Sequence, residues 1–416
     1  MDVDENNDND VDENNDNDDD GNDGAPRRVA FILSKELVSS LLPSNRMRSN
    51  LSHSLISSLG LLKAPSIKVY KPVPATRKDL VAYHTPDYVD HVLDPVNSSR
   101  DVVSSSEGDE FGLEDDCPPF YGLHAYVPLV AGASLTAADI LKKDAADVSI
   151  AWDGGRHHAQ KSHASGFCYV ADCILATLSL KRPSSPSSPL RRPKIMYLDL
   201  DLHFSDAVSH AFHTPAVGGG GVSPQVLTLS IHHTSPGFFP LSPLSTPLPT
   251  SDPFTLSIPL LPGASSPTFH RIWTTLVEPA HKAFSPEYVV VQCGVDGLAG
   301  DPYGVFNWCL GGEGGLGWCV GRVMGWEGKK LVVGGGGYNS PNAARAWAYL
   351  TSIALARPLP LDTPIPDHPA FPQYAPSFTL DVPAGNMRDM NTDEYLREVE
   401  GVVGGLIGRM GDVMGR

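Results

Sequence analysis

No uninterrupted apolar run reaches the roughly 18 residues that a membrane-crossing helix needs, so no membrane span is expected in this chain of 416 residues. Cysteine is sparse. The six present (Cys117, Cys168, Cys173, Cys293, Cys309, Cys319) form no C-x-x-C pair and no signal peptide precedes them. Reduced thiols in the cytosol or nucleus are the expectation, not a disulfide framework. Lysine and arginine are absent from residues 1–24, which hold 12 Asp/Glu. The formal charge of −17 is thus concentrated there, leaving 36 acidic against 31 basic residues, or −5, elsewhere. No direct nucleic-acid site is evident in so mildly acidic a body.

What is present divides into a tail and one large body. Val-Asp-Glu-Asn-Asn-Asp-Asn-Asp stands at 3–10 and again at 11–18. Such a tract cannot bury a core, and residues 1–27 read as a disordered, solubilising tail or an acidic arm for basic partners. From residue 28 to 416, short β-branched runs alternate with helical periodicity. Strands are predicted at 28–33, 66–71, 147–152, 194–200, 225–231, 288–293 and 330–334, and helices near 47–60, 124–142, 267–284 and 342–356. A closing helix over 392–410 is weakened by Gly401, Gly404, Gly405 and Gly408. The alternation predicts an α/β fold with a mostly parallel sheet covered on both faces. Two Pro/Ser-rich segments, 183–193 and 234–253, read as loops, with insertions at 183–193 and 240–253. The first carries Arg191 and Arg192, with Lys194 just beyond it, so it reads as a solvated linker or, less directly, a phosphorylation or import signal.

In such sheets ligands bind beyond the carboxyl ends of the strands, and the chemically distinctive residues fall there. The apolar run Lys194–Leu198 leads into Asp199-Leu200-Asp201-Leu202-His203. Alternate strand residues share a face but lie roughly 6.5–7 Å apart, so Asp199, Asp201 and His203 cannot all reach one metal unless the strand end curls. The natural division gives Asp201 and His203 to the metal and Asp199 to a histidine. Tyr288–Cys293 leads to Asp296, and Leu331–Val333 to a four-glycine run ending in Tyr338. The strand at 147–152 leads to Asp153-Gly154-Gly155-Arg156-His157-His158. Asp199 and Asp206 offer two acceptors for these two imidazoles. A histidine so held has a fixed tautomer and raised basicity, as a general base requires.

With these residues assembled, the chain resembles the zinc-dependent histone deacetylases, class I in particular. The likeness rests on Arg156–Lys161 with Ala164–Tyr169, Asp199–His203, Ser235–Pro240, Gly300-Asp301 with Phe306-Asn307, Gly334–Asn339 and Ile365–His368, in the family's order over roughly residues 28–400. It implies an arginase/deacetylase-type three-layer α/β/α fold and removal of acetyl groups from lysine side chains of histones or other proteins. Carried onto matching positions, it makes Asp201, His203 and Asp296 the ligands of Zn2+, with Fe2+ as an alternative metal. His158 backed by Asp206 is then the principal general base and acid, His157 backed by Asp199 an electrostatic aid, and Tyr338 the donor to the acetyl oxygen. Phe167 and Phe239 wall a lysine tunnel beside Gly166, Asp116 and Tyr303 stand at its rim, and Arg48 lines a channel for acetate. A structural K+ is implied near Asp199, Asp201, His203 and Ser230. So are nuclear or partly cytoplasmic localisation, chromatin-complex partners and a part in transcriptional repression.

The chain also departs from the family. Phe204-Ser205-Asp206-Ala207 stands where most members have a second histidine and Gly-Asp-Gly, and the loop after Phe238-Phe239 is rich in proline and serine rather than glycine. Arg156 replaces an apolar residue and is expected near the mouth, as a surface arginine or a charge at the rim. Asn45, Pro302 and Pro341 occupy positions where some members bind inositol phosphate through basic residues, so no such site is expected. The alternatives to a protein-lysine deacetylase are an amidohydrolase of acetylpolyamines or other acyl-lysines, and a catalytically weakened scaffold of a corepressor complex.

Overall fold

The computed structural model describes residues 27–40, 42–98, 110–183, 192–214 and 224–415. Most of the acidic tail and of the 183–193 segment therefore lies outside the described residues. Arg27 already belongs to the body: its guanidinium donates to the carbonyls of Met324, Ile353 and Ala354.

Eight strands form one sheet: β1 (Val29–Ile32), β2 (Ile67–Tyr70), β3 (Val148–Ala151), β4 (Ile195–Asp199), β5 (Val226–His233), β6 (Thr255–Leu260), β7 (Tyr288–Gln292) and β8 (Lys329–Val333). Their spatial order is β2-β1-β3-β8-β7-β4-β5-β6, and every pairing is parallel. Seven lie where β-branched runs predict them. β6 escaped prediction because Pro259 interrupts its apolar run; as the edge strand it needs a ladder on one side only, which a residue without N–H tolerates.

In β1, β3, β4, β7 and β8 a period of two divides the side chains between two cores. Val289 and Val291 of β7 face one, and Tyr288 and Val290 the other. Covering helices include Arg48–Ser58, Leu123–Lys142, Asp172–Leu180 and Ser340–Ala354. Leu123–Lys142 has the length and composition of a membrane span, yet its apolar residues are packed in the core over β1, β3 and β8. The run predicted as one helix over 267–284 is Ser266–Ile272 and Glu278–Phe284 joined by a π turn, Trp273–Val277. Pro279 there has no N–H to continue the ladder. The closing helix forms over Asp393–Val413, held by a buried stripe of Leu396, Val399, Val403, Leu406 and Met410. Its four doubtful glycines have open space where a side chain would stand, so they cost only helix propensity.

Because all strands run the same way, the carboxyl ends of β3, β8, β7 and β4 lie side by side in mid-sheet. The segments that follow these ends are those carrying His157-His158, Tyr338, Asp296 and Asp201.

Candidate metal centre and tunnel

β4 ends at Asp199 and the chain curls through Leu200–His203. The curl resolves the strand-spacing problem by bringing His203 back onto Asp201. His203 Nδ1 lies 3.2 Å from Asp201 Oδ1 and 3.0 Å from Asp296 Oδ2, and the three residues form a cluster of potential ligand atoms within 4.8 Å of one another. Zinc bonds of 2.0–2.1 Å at tetrahedral angles place ligand atoms roughly 3.3 Å apart, so the donor set fits such an ion. The remaining carboxylate oxygens are held from behind. Asp201 Oδ2 accepts from Gln292 Nε2 at 2.9 Å and from Gly336 N at 2.7 Å, and Asp296 Oδ1 from Leu202 N at 2.9 Å. Burial and the Asp201 charge push the Asp296 carboxyl up to about 7. Two such buried carboxylates repel, and a dication between them relieves that repulsion.

Two histidine–carboxylate pairs stand alongside. His157 Nδ1 is 2.8 Å from Asp199 Oδ2 and His158 Nδ1 is 2.7 Å from Asp206 Oδ1. The environments differ. Burial disfavours charge on His157, but Asp199 and Asp201 outweigh it and push the imidazole up to about 9. His158 is pushed down, first by burial and then by its neighbour His157, against the pull of Asp206. The two adjacent imidazoles are thus driven in opposite directions. The substitution at Phe204 leaves this geometry in place: the phenyl is buried against the His232 ring at 4.8 Å, and Asp206 N donates to the Phe204 carbonyl.

A cavity of about 380 Å³ opens above, lined by Asp116, His158, Gly166, Phe167, His203, Phe239, Tyr303 and Tyr338 among others. Only glycine fits at 166, where a Cβ would come within 2.5 Å of the His158 ring. Phe167 adopts a left-handed φ of 62°, which sets its ring against Tyr338 at 5.5 Å. The Phe239 ring lies 4.9 Å from that of His158. Tyr303 packs edge-on to Tyr338 at 4.7 Å and is half exposed. The Tyr338 backbone is anchored by Asp301 Oδ2, which accepts from Tyr338 N and Asn339 N. Burial, then the Asp296 and Asp201 charges, keep its phenol protonated and a donor. Asp116 accepts from Gly166 N. Ser230, opposite Asp199 in the β4–β5 register, approaches Ser205 N and His232 Nδ1.

One expectation needs adjustment. Arg156 is not at the mouth: it is 7 % exposed and, with Arg48 and Asn45, lines a separate internal cavity behind the tyrosine loop. The cause is Asp172, whose carboxylate accepts from Gly155 N and Arg156 N and turns the chain after β3. Sequence reasoning also passed over Gln292, Asp172 and Asp301 as positioning residues. The signal for Gln292 was there, an amide in the otherwise apolar Tyr288–Gln292 strand.

Among known proteins, the chain is similar to histone deacetylases. The histone deacetylase domain matches residues 42–354. Histone deacetylase 8 of Xenopus tropicalis is 36% identical over 85% of this chain and 89% of its own length, and that of Danio rerio 34% over 91% and 95%. Histone deacetylase RPD3 of Saccharomyces cerevisiae is 33% identical over 86% and 77%. With the domain matched over most of the body and these relatives aligned over 77–95% of their own length, the chain belongs to the histone deacetylase family and is a protein deacetylase.

Proposed function

We propose that this chain hydrolyses acetyl-lysine in histones or other proteins, using zinc held by Asp201, His203 and Asp296. The observation that carries the reading is the convergence of these three ligand atoms at the foot of an aromatic-walled cavity, beside a held neutral imidazole and a buried phenol. When bound, the ion supplies Lewis acidity toward the acetyl carbonyl and a more acidic water.

The chain's own residues do the rest. Phe167 and Phe239 enclose the aliphatic lysine stem, and Asp116, with one oxygen on Gly166 N, has the other available to a substrate N–H at the rim. His158, neutral and oriented by Asp206, accepts the proton of the attacking water. Tyr338 donates to the acetyl oxygen as negative charge develops on it. His157, kept charged by Asp199, steadies that charge, and a histidine returns the proton to the departing lysine amine. Ser230 and Asp199 on adjacent strands suit a structural potassium ion. The family favours acetylated histone tails as substrates, chromatin complexes as partners and the nucleus as location.

The test is hydrolysis of an acetyl-lysine peptide by wild type and Tyr338→Phe, with metal analysis of both. Expected is zinc-dependent turnover reduced on the order of 10²–10³-fold in the variant at equal metal content. A zinc-loaded wild type that turns over acetylspermidine but no acyl-lysine peptide overturns the substrate assignment.

A further inference from the structure

Beside the tunnel lies a second cavity of about 310 Å³, lined by Phe204, His233, Ser235, Leu241 and Pro243 among others, and Phe238 and Phe239 line both spaces. Two departures from the family pattern meet in it: the phenyl of Phe204, where most members have a histidine, and the proline- and serine-rich segment that follows Phe239. That segment is pinned. Ser242 Oγ accepts from Leu244 N at 3.2 Å and lies 3.1 Å from His210 Nε2, Ser245 Oγ donates to the Ser242 carbonyl at 2.8 Å, and Ser257 Oγ donates to the Leu244 carbonyl at 2.6 Å. The cavity is therefore built before any ligand arrives.

The same bonds leave little polar chemistry to offer a ligand. His233 Nδ1 lies 3.0 Å from the Leu260 carbonyl, so it carries the proton, and Nε2 accepts from the Ser235 hydroxyl at 3.1 Å. Both ring nitrogens are spent, and burial pushes the imidazole down, away from its charged form. Among the described residues the lining holds no Asp, Glu, Lys or Arg. A charged side chain entering it would lose hydration and find no counter-ion. Leu241 and Phe239 are left 82 % and 40 % exposed, apolar surface that an apolar side chain would cover.

Contact at about 3.5–4.0 Å on each face of one ring sets the two spaces roughly 7–8 Å apart. Residues two apart in an extended chain point the same way and stand roughly 6.5–7 Å apart. A substrate whose acyl-lysine fills the tunnel thus brings a side chain two positions away to this cavity. We propose that the cavity between Phe239 and Pro243 is a specificity subsite for an apolar side chain, the size of leucine or phenylalanine, two residues from the acyl-lysine. The assignment rests on the deacetylase reading and narrows it, to substrates apolar rather than charged at that position.

The experiment uses full-length, zinc-loaded protein and an acetyl-lysine peptide in which each position from two before to two after the lysine is set in turn to Ala, Leu, Phe, Lys or Glu. kcat/KM is measured for each, and binding of the same peptides, fluorescently labelled, by anisotropy. At one of the positions two residues away, Leu or Phe should exceed Ala by about tenfold or more, with Lys and Glu below Ala. Thr234→Phe, which fills the cavity, and Leu241→Ser, which removes an apolar wall, should each bring the Leu-to-Ala ratio towards one. Each variant is referred to its own alanine peptide, so a general loss of activity cancels. If Thr234→Phe does not fold, the exposed Leu241→Ser carries the comparison. Equal values at both positions two residues away, a preference confined to the adjacent positions, or one unchanged in the folded variants overturns the proposal. Apolar selection in binding with no turnover of any peptide would refute the deacetylase reading and leave the subsite standing; neither binding nor turnover overturns both.

Discussion

Gly336→Ala isolates the metal centre from the rest of the fold. The Gly336 backbone is one that alanine adopts without strain, so the whole effect lies in the added methyl. That methyl would stand 2.2 Å from Asp296 Oδ2, 2.6 Å from Asp296 Cγ and 2.9 Å from Asp201 Oδ2. Ordinary contact begins at 3.4 Å, so Asp296 must retreat by about 1.2 Å or the glycine run must shift. Metal sites hold their ligand distances to about 0.2 Å. Disturbing even the supports of a ligand costs about 10–100-fold in affinity, and displacing the ligand itself should reach at least the upper figure. Zinc affinity measured by chelator competition, with the thermal midpoint of the metal-free protein as control, reads this out. Zinc binding and turnover at wild-type levels would refute the placement of Asp296 as a ligand.

Three other perturbations address different parts of the molecule. Asp206→Asn removes the charge that holds His158 and sets an amide against Gln160 Nε2, now 2.7 Å from Asp206 Oδ2; kcat should fall on the order of 10²–10⁴-fold with zinc content unchanged, and an unaffected kcat would remove the dyad from the mechanism. Gly401→Ala, with nothing within 4 Å of the new methyl, should stabilise the closing helix by about 0.5–1 kcal/mol in denaturant unfolding; destabilisation would mean that face is covered. Burial pushes His84 down to about 4 while its Nε2 accepts from Ala171 N. The unfolded chain therefore takes up the proton first, and stability present above pH 6.5 should be lost as pH falls towards 4, by up to about 3 kcal/mol from this residue. Equal unfolding midpoints at pH 7 and pH 4.5 would contradict it.

How much of this was legible beforehand depends on range. Strands buried on both faces read as continuous β-branched runs, and the residues after them were recognisable because parallel strands deliver their carboxyl ends to one edge. Strand spacing indicated that Asp199, Asp201 and His203 could not all reach one metal from a straight strand, and the structure sets Asp199 against His157 and His203 beside Asp201 and Asp296. What did not read through were interactions between segments distant in sequence. Pro259 hid an edge strand because edge position is a property of the whole sheet. Arg156 was misplaced because Asp172, 16 residues on, sets the direction of the turn. Gln292, Asp172 and Asp301 work through groups that only the folded chain brings to them. Phe204 looked disruptive by pattern, yet its ring has a buried place against His232.

The central claim is that Asp201, His203 and Asp296 hold the ion on which lysine deacetylation depends. Its most direct measurement strips the protein with a chelator and follows acetyl-lysine peptide hydrolysis while zinc is added back. The expected result is no turnover in the stripped protein and recovery that saturates at one zinc per chain. Turnover that survives stripping, or zinc bound at one equivalent with the peptide left intact, would contradict it.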